Sequence, residues 1–457
     1  MAATAGLTPD PVRELRTSLR GDVIEPGDGE YETARRLWNG MIDRRPSIIA
    51  RCSGTADVVR AIAFAREHDL TIAVRGGGHG VAGRATCDDG LVVDLSPMRG
   101  IRVDPSARTA RAQAGVLWGE LDRETQLFGL ATTGGAVSTT GIAGLTLAGG
   151  FGWLMRKHGM VIDNLLSVDL VTADGRCVTV SENEHADLFW ALRGAGANFG
   201  VVTSFEYRLH PVGPMLLGGM VVHPLANARA ALELYRRFTA EAPDEVASYA
   251  GLLTTPDGMK VLALAAAYIG PVEEGEKALE PLRAFGPPVA DLFAPTAYVA
   301  HQTLFDASFP AGRRDYEKST FITDLDETAI EALVGGMECA PSPHSLIIVE
   351  HHGGAVRRVP EDATAFRHRA PEYNVTVPGG WAEPSDDDAN IAWVRDVVHA
   401  LGPVSTGTYY ANYQAELDRA EPVEAAWGAN YARLAALKAE YDPANVFRLN
   451  HNIVPAG

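Results

Sequence analysis

The stretch Val74-Arg75-Gly76-Gly77-Gly78-His79-Gly80, fed by a short strand pattern over 70–74, decides how the rest of the chain is read. Three glycines in a row remove Cβ and admit positive φ. Successive N–H groups can then turn inward around an anion such as a pyrophosphate, leaving His79 aimed at the molecule that carries it. Alone, the run also fits a glycine-rich turn bearing a surface histidine. A second segment tips the balance: TTGGAVSTTGIAG at 132–144 continues to LAGGFG at 147–152 without a charged residue. Small residues and hydroxyls at this density allow close backbone approach and offer donors to phosphates and to a flat ring. Neither segment has the Rossmann glycine spacing or an acid at the ribose position, so a nicotinamide cofactor bound that way is disfavoured. FAD lying between two small subdomains satisfies all the pieces.

At 457 residues the chain exceeds one ordinary hydrophobic core, so two lobes with a crevice between them are expected. A hydrophobic share of 46% and a charged share of 21%, with no long apolar run, describe a globular chain that does not span a membrane. The formal net charge of −18 and the lack of a dense Lys/Arg cluster argue against nucleic acid as a partner. Residues 1–20 lack the apolar core of a secretory signal, and Cys52, Cys87, Cys177 and Cys339 lie far apart. Reduced thiols and a cytoplasmic address are therefore expected, with no metal cage.

Periodicity predicts a helix over 55–70, strands at 71–74 and 91–95, a helix over 115–129, a strand at 166–172, a helix at 186–192 and a strand at 200–209 with one wet face. After His210-Pro211 longer helices (225–240, 271–285) alternate with apolar strands (260–269, 345–352). Ser385 ahead of three aspartates predicts a helix N-terminus running to 401, the acids capping rather than binding metal. A strand at 407–413 and a helix over 423–441 complete the chain, with Trp427, Tyr431, Leu434 and Leu437 on one face.

With VRGGGHG at 74–80 and the 132–152 segment, MRKHGMVIDNLLSVDLVTADG at 155–175, GAGANFGVVTSFEYRL at 194–209 and YDPANVFRLNHNI at 441–453 resemble the vanillyl-alcohol oxidase superfamily of flavoproteins. Within it the chain is most similar to bacterial berberine bridge enzyme-like oxidases. The resemblance implies an α+β fold: an N-terminal segment (1–42), a two-subdomain PCMH-type FAD-binding domain (43–212), a substrate domain with an antiparallel sheet covered by helices (213–404), and a C-terminal return to the first domain (405–457).

It also implies a bond from a ring nitrogen of His79 to the 8α-methyl of the flavin, which leaves the ring a stronger hydride acceptor. Doubly linked relatives carry a cysteine where this chain has Val137, so a single linkage is expected. Arg75, Gly76, Gly77, Gly78, Gly80, Ser138, Thr139, Gly141 and Gly144 are implied to cradle pyrophosphate and ribityl. Val202 falls near the adenine, and Asn450 or Asn452 near the flavin, the two alternating on an extended segment.

On the predicted strand 345–352, Glu350 and His352 share a face while His351 points away, which disfavours zinc held by the histidine pair. By resemblance Glu350 sits where relatives place a substrate-facing tyrosine or carboxylate. Tyr413 matches a tyrosine that acts as base or substrate contact in several members; as a base it needs a nearby positive group. A position that holds a catalytic glutamate in some relatives falls on Asn374, whose amide abstracts no proton. Tyr413 and Glu350 remain the titratable catalytic candidates.

The resulting expectation is an FAD-dependent oxidase that takes hydride from a C–O or C–N carbon of a small organic substrate, with O2 reoxidising the flavin to give H2O2. Alternatives are an oxidative cyclase or dehydrogenase of secondary metabolism on the same scaffold, and a flavin-carrying binding protein without turnover.

Overall fold

The computed structural model describes residues 9–415 and 423–457. Ile48–Arg51, Ile72–Arg75 and Leu91–Asp94 are each apolar up to a charged last residue, as suits strands covered on both faces, and they pair in parallel with Leu91–Asp94 in the centre. Val23–Ile24 adds an antiparallel edge. Helix Thr55–Glu67 makes the first crossover; its Val58, Ala61, Ile62 and Ala65 recur with helical period and are fully buried. Register places Arg75 opposite Asp94, and their side chains pair at 2.5 Å. The chain leaves this anchored strand end directly into the glycine loop.

An antiparallel sheet of five strands follows in the order Ile101–Asp104, Thr109–Gln113, Val201–Arg208, Leu165–Val171 and Cys177–Ser181. Phe205 and Tyr207 point into the core while Arg208 is exposed, as the alternation predicts. The Tyr207 hydroxyl meets Thr146 Oγ1 at 2.7 Å, which seats helix Ile142–Ala148, the end of the second glycine segment, on this sheet.

The third sheet has eight strands. Met215–Pro224, Lys260–Tyr268, Val246–Thr254, Ile347–His351, Tyr373–Trp381 and Arg314–Ile322 run antiparallel in that order, with Ala290–Asp291 and Ala294–Ala297 on the outer edge. Helices Ala228–Glu241, Val272–Arg283, Glu327–Glu338 and Asp387–Ala400 bury one face. The other face meets the glycine-rich half, where Trp153 packs on Tyr249 and Phe151 on Phe321. The C-terminal return is tied down by a fully buried pair: Lys438 Nζ donates to Asp442 (2.6 Å) and to the carbonyls of Asn198 (2.7 Å) and Phe447 (2.9 Å). No described helix is long and apolar enough to cross a membrane.

Three expected elements differ. No strand forms at 407–413. Residues 405–408 touch the Arg314–Ile322 strand through Thr406 N to Phe321 O and Phe321 N to Thr408 O, but Tyr410 N then bonds the Ser319 hydroxyl instead of a ladder carbonyl, and Ala411–Tyr413 closes a 3-10 turn. The final helix begins only at Tyr431, after 3-10 turns at Val423–Ala426 and Gly428–Asn430, so Trp427 precedes it. Ser385 is not an N-cap. Pro384–Asp386 forms a 3-10 turn, the helix starts at Asp387, and that carboxylate is taken by Arg314 and the Trp381 indole N–H.

Candidate active site

A cavity of about 320 Å3 runs from the glycine loop, past the second glycine segment, to the open face of the eight-stranded sheet. Its walls at the first end are almost bare backbone. A Cβ on Gly77 would lie 2.6 Å from Gly141 Cα, and one on Gly141 would lie 2.5 Å from Gly77 N, so the two glycine segments touch main chain to main chain. At Gly80 and Gly144, by contrast, an added Cβ would meet nothing within 4 Å, which leaves their surface open to a ligand. Gly78 takes φ +67°, the left-handed turn that delivers His79 to the cavity.

The His79 ring stacks on Trp38, centroids 4.4 Å apart, and its Nε2 is sealed from solvent without a hydrogen-bond partner. Burial pushes its pKa down to about 4, so the imidazole is neutral at physiological pH. Val137 lines the cavity, and among the described residues no cysteine does.

Of the other residues expected at the cofactor, Gly76, Val202 and Asn450 line the cavity, Asn450 with its amide on the Ala197 carbonyl at 2.9 Å. Arg75, Ser138, Thr139 and Asn452 do not. Arg75 spends its guanidinium on Asp94 and on the Ala34 carbonyl. Ser138 gives its N–H (2.8 Å) and hydroxyl (2.6 Å) to Asp306, which pins the 304–309 loop over the glycine segment, and Thr139 is exposed. A bend over 449–451 breaks the alternation that would have set Asn452 beside Asn450; His451 lines the cavity instead, bonded to the Ala411 carbonyl.

At the far end, cross-strand register aligns Tyr249, Glu350, Asn374 and Phe321 on one row of the sheet. Glu350 is 4% exposed and is no surface acid. Its Oε1 accepts the Tyr413 hydroxyl at 3.0 Å and its Oε2 the Asn374 amide at 2.7 Å. Burial raises the Glu350 pKa to about 7 against the opposing pull of these two donors. Burial also raises the Tyr413 phenol, and the charge of Glu350 raises it further. The positive neighbour that a tyrosinate base needs is replaced here by a carboxylate. His351 faces the opposite side of the strand, against Arg156 and Tyr373, as alternation predicts. His352 is walled in by Phe151 and Phe321.

Sequence reasoning passed over Glu317, Tyr249, Thr376 and Gln414, all on the cavity wall. Glu317 lies in a strand whose mixed charges give no periodic signal, and Tyr249 in an ordinary apolar run.

Comparisons with known proteins agree with this geometry. The family described as "FAD binding domain" matches residues 46–181, and that described as "Berberine and berberine like" matches 409–454. An FAD-linked oxidoreductase of Dictyostelium discoideum is 35% identical over 449 residues, covering 97% of both chains. The (R)-6-hydroxynicotine oxidase of Paenarthrobacter nicotinovorans is 33% identical, covering 96% of this chain and 98% of its own. This chain belongs to the berberine bridge enzyme-like FAD-linked oxidoreductases.

Solved structures of the berberine bridge enzyme-like fold superpose along nearly the whole length. That of 6-hydroxy-D-nicotine oxidase from Arthrobacter nicotinovorans gives a TM-score of 0.88 at 31% identity (96% of this chain, 99% of that one). A chitooligosaccharide oxidase gives 0.86 at 26% (98% and 100%). The protein is accordingly an FAD-dependent oxidoreductase with the mixed α/β architecture of that family. The cavity fits the cofactor: a glycine cradle that side chains would fill, and an orphaned neutral imidazole nitrogen at its rim.

Proposed function

We propose that the protein is an FAD-dependent oxidase that removes hydride from a carbon bearing oxygen or nitrogen in a small organic substrate, with Glu350 as the base. The observation that carries this is the hydrogen-bonded chain Tyr413–Glu350–Asn374, buried in the same cavity that His79 borders. Gly76 to Gly80, Gly141, Gly144, Val202 and Asn450 hold the cofactor, and His79 is its single covalent tether, a neutral nitrogen being the competent nucleophile. Bound FAD would supply a two-electron acceptor there, with O2 as the final oxidant.

Glu350 takes the heteroatom proton of the substrate on the carboxylate that Tyr413 and Asn374 orient, and its pKa near 7 suits a base at neutral pH. Asn374 is then an orienting amide, and the carboxylate missing at that position is provided one strand away, which removes the reason for a binding protein without turnover. Phe151, Phe305 and Ile348 line the same space and exclude water. The four unpaired cysteines support a reducing, cytoplasmic setting.

The test is an anaerobic screen of amines, alcohols and saccharides for flavin bleaching, followed by air and a peroxide assay. Bleaching with stoichiometric peroxide supports an oxidase. Bleaching that air does not reverse points to the dehydrogenase or cyclase.

A further inference from the structure

The three parallel strands Ile48–Arg51, Leu91–Asp94 and Ile72–Arg75 each close on a charged residue, and register sets these ends side by side as Arg51, Asp94 and Arg75. The row lies at the carboxyl edge of the sheet, where the loops leaving parallel strands open a crevice in which ligands gather. Here the crevice is a cavity of about 210 Å3, walled by the row itself, by Gly76 to Gly78, and by Thr33, Arg36, Trp38 and Ser96. It shares only Trp38 and the three glycines with the larger cavity that His79 borders, so the glycine loop is the partition between them.

The charge of this wall runs against that of the chain. Three guanidiniums face one carboxylate, in a protein of formal net charge −18. Asp94 is 1% exposed and divided between two of them, 2.5 Å from Arg75 and 3.8 Å from Arg51. Arg75 also donates to the Ala34 carbonyl. Arg51 reaches outward to Glu30 at 2.7 Å, an acid whose side chain is 72% exposed, and so wet a pair holds weakly. Arg36 is exposed and makes no hydrogen bond or ion pair among the described residues; Asp43, the acid whose charge it feels, is bonded to Arg35.

Thr33 and Ser96 add two hydroxyls to the same wall, neither of them in a side-chain hydrogen bond among the described residues. Donors are therefore in surplus and the one carboxylate is already shared. A cation would meet three like charges there. A tetrahedral oxyanion fits: a guanidinium presents paired N–H groups to two of its oxygens, and hydroxyls serve the others.

We propose that this cavity binds a small tetrahedral oxyanion, inorganic phosphate or the phosphate end of a nucleotide, held by Arg36 and Arg51 with the hydroxyls of Thr33 and Ser96. The site stands apart from the oxidase reaction. Its occupant would bridge the segment at 33–38 to the glycine loop. Trp38 already gives its N–H to the Gly78 carbonyl at 3.1 Å and stacks on His79, so a bound anion would stiffen the loop that presents this histidine.

The test uses flavin-loaded protein in a chloride buffer. Equilibrium dialysis with labelled inorganic phosphate should saturate at one ion per chain with a Kd of about 1 mM, and sulfate should displace it where a matching increment of chloride does not. Arg36→Gln changes an exposed side chain that holds no other residue, and it should weaken phosphate about 10-fold with the flavin spectrum and melting temperature unchanged. Thr33→Val should weaken it by a smaller factor, and it decides the matter should Arg36→Gln lose its fold. AMP that binds more tightly than phosphate assigns the site to a nucleotide; AMP that binds equally or less assigns it to the free ion. Both results keep the oxyanion.

The absence of saturable binding, or one affinity shared by wild type and both variants, would overturn the proposal. So would phosphate that binds flavin-free protein but is excluded once flavin is loaded, because the cavity would then belong to the cofactor's own phosphates.

Discussion

Tyr413 donates its phenolic hydrogen to Glu350 at 3.0 Å, and the direction of that bond favours the carboxylate over the phenol as the proposed base. A phenol whose pKa is pushed up by burial and by a neighbouring carboxylate stays protonated, while the carboxylate, near pH 7, exchanges its proton in the working range. Flavin reduction by substrate should therefore rise with pH through about 7 as Glu350 ionises. Glu350→Gln should slow it by roughly 10²–10⁴, the usual worth of a general base. Tyr413→Phe removes a donor that lowers the Glu350 pKa, so the rising limb should move to higher pH with a smaller loss, about 10-fold, on the plateau. Stopped-flow reduction across the pH range separates the two, and a limb unmoved in Tyr413→Phe would detach the phenol from the base.

The proposed His79 tether is tested without turnover. The wild-type protein should fluoresce under ultraviolet light in a denaturing gel, and the tryptic peptide spanning the glycine loop should carry the mass of FAD. His79→Ala should abolish both while flavin still binds reversibly, since the glycine cradle is untouched. A band that stays fluorescent in the variant would move the attachment elsewhere. With Val137 where doubly linked relatives have cysteine, loss in this one variant should be complete.

How much of this was legible beforehand follows from which interactions are local. The glycine loop was, because Gly77 and Gly141 must be glycine for reasons of backbone contact that leave a mark in the sequence. Glu350 and His351 fell on the opposite faces that alternation demands. The 407–413 strand was not legible correctly, since its composition suits a strand while a single side chain, Ser319, diverts Tyr410. Glu317 was invisible for a different reason. Beside Asp315 and Lys318 it reads as part of a wet edge, and only pairing across Tyr373–Trp381 sets it within reach of Thr376. Arg75 shows the converse error: an arginine entering a phosphate-type loop invites a ligand, but the parallel register had already given it Asp94.

Asp122 provides a stability test far from the chemistry. It is buried on helix Trp118–Gln126, accepts the Gln302 amide at 2.8 Å, and has its pKa raised to about 7 by burial. A carboxyl whose folded pKa lies above its unfolded value of 3.8 contributes fully below that value, and its contribution is lost as pH rises to about 7. Asp122→Asn keeps an acceptor for Gln302 and removes the ionisation. The variant should melt near wild type at pH 4 and above it at pH 8, by on the order of 1–3 kcal/mol. Parallel melting curves at the two pH values check this, and a gap that does not change with pH would show that the carboxyl is not titrating.

Gly141 and Gly144 lie three residues apart, yet they should respond to alanine in opposite ways. Gly141 has φ −70°, which any residue adopts, so the cost of Gly141→Ala is contact alone: its Cβ would press within 2.5 Å of the Gly77 nitrogen and force the two cofactor segments apart. Overpacking of this kind costs about 1–3 kcal/mol, and because backbone is struck on both sides no side chain can yield to relieve it. Melting temperature and flavin content should fall together. Gly144 sits inside helix Ile142–Ala148 with open space beyond it, so alanine there should hold or raise stability by up to about 1 kcal/mol through helix propensity. Its methyl nevertheless enters the cavity. Gly144→Ala should therefore keep its melting temperature as apoprotein and lose flavin affinity, and a variant that loads flavin like wild type would mean the cofactor does not lie against this turn.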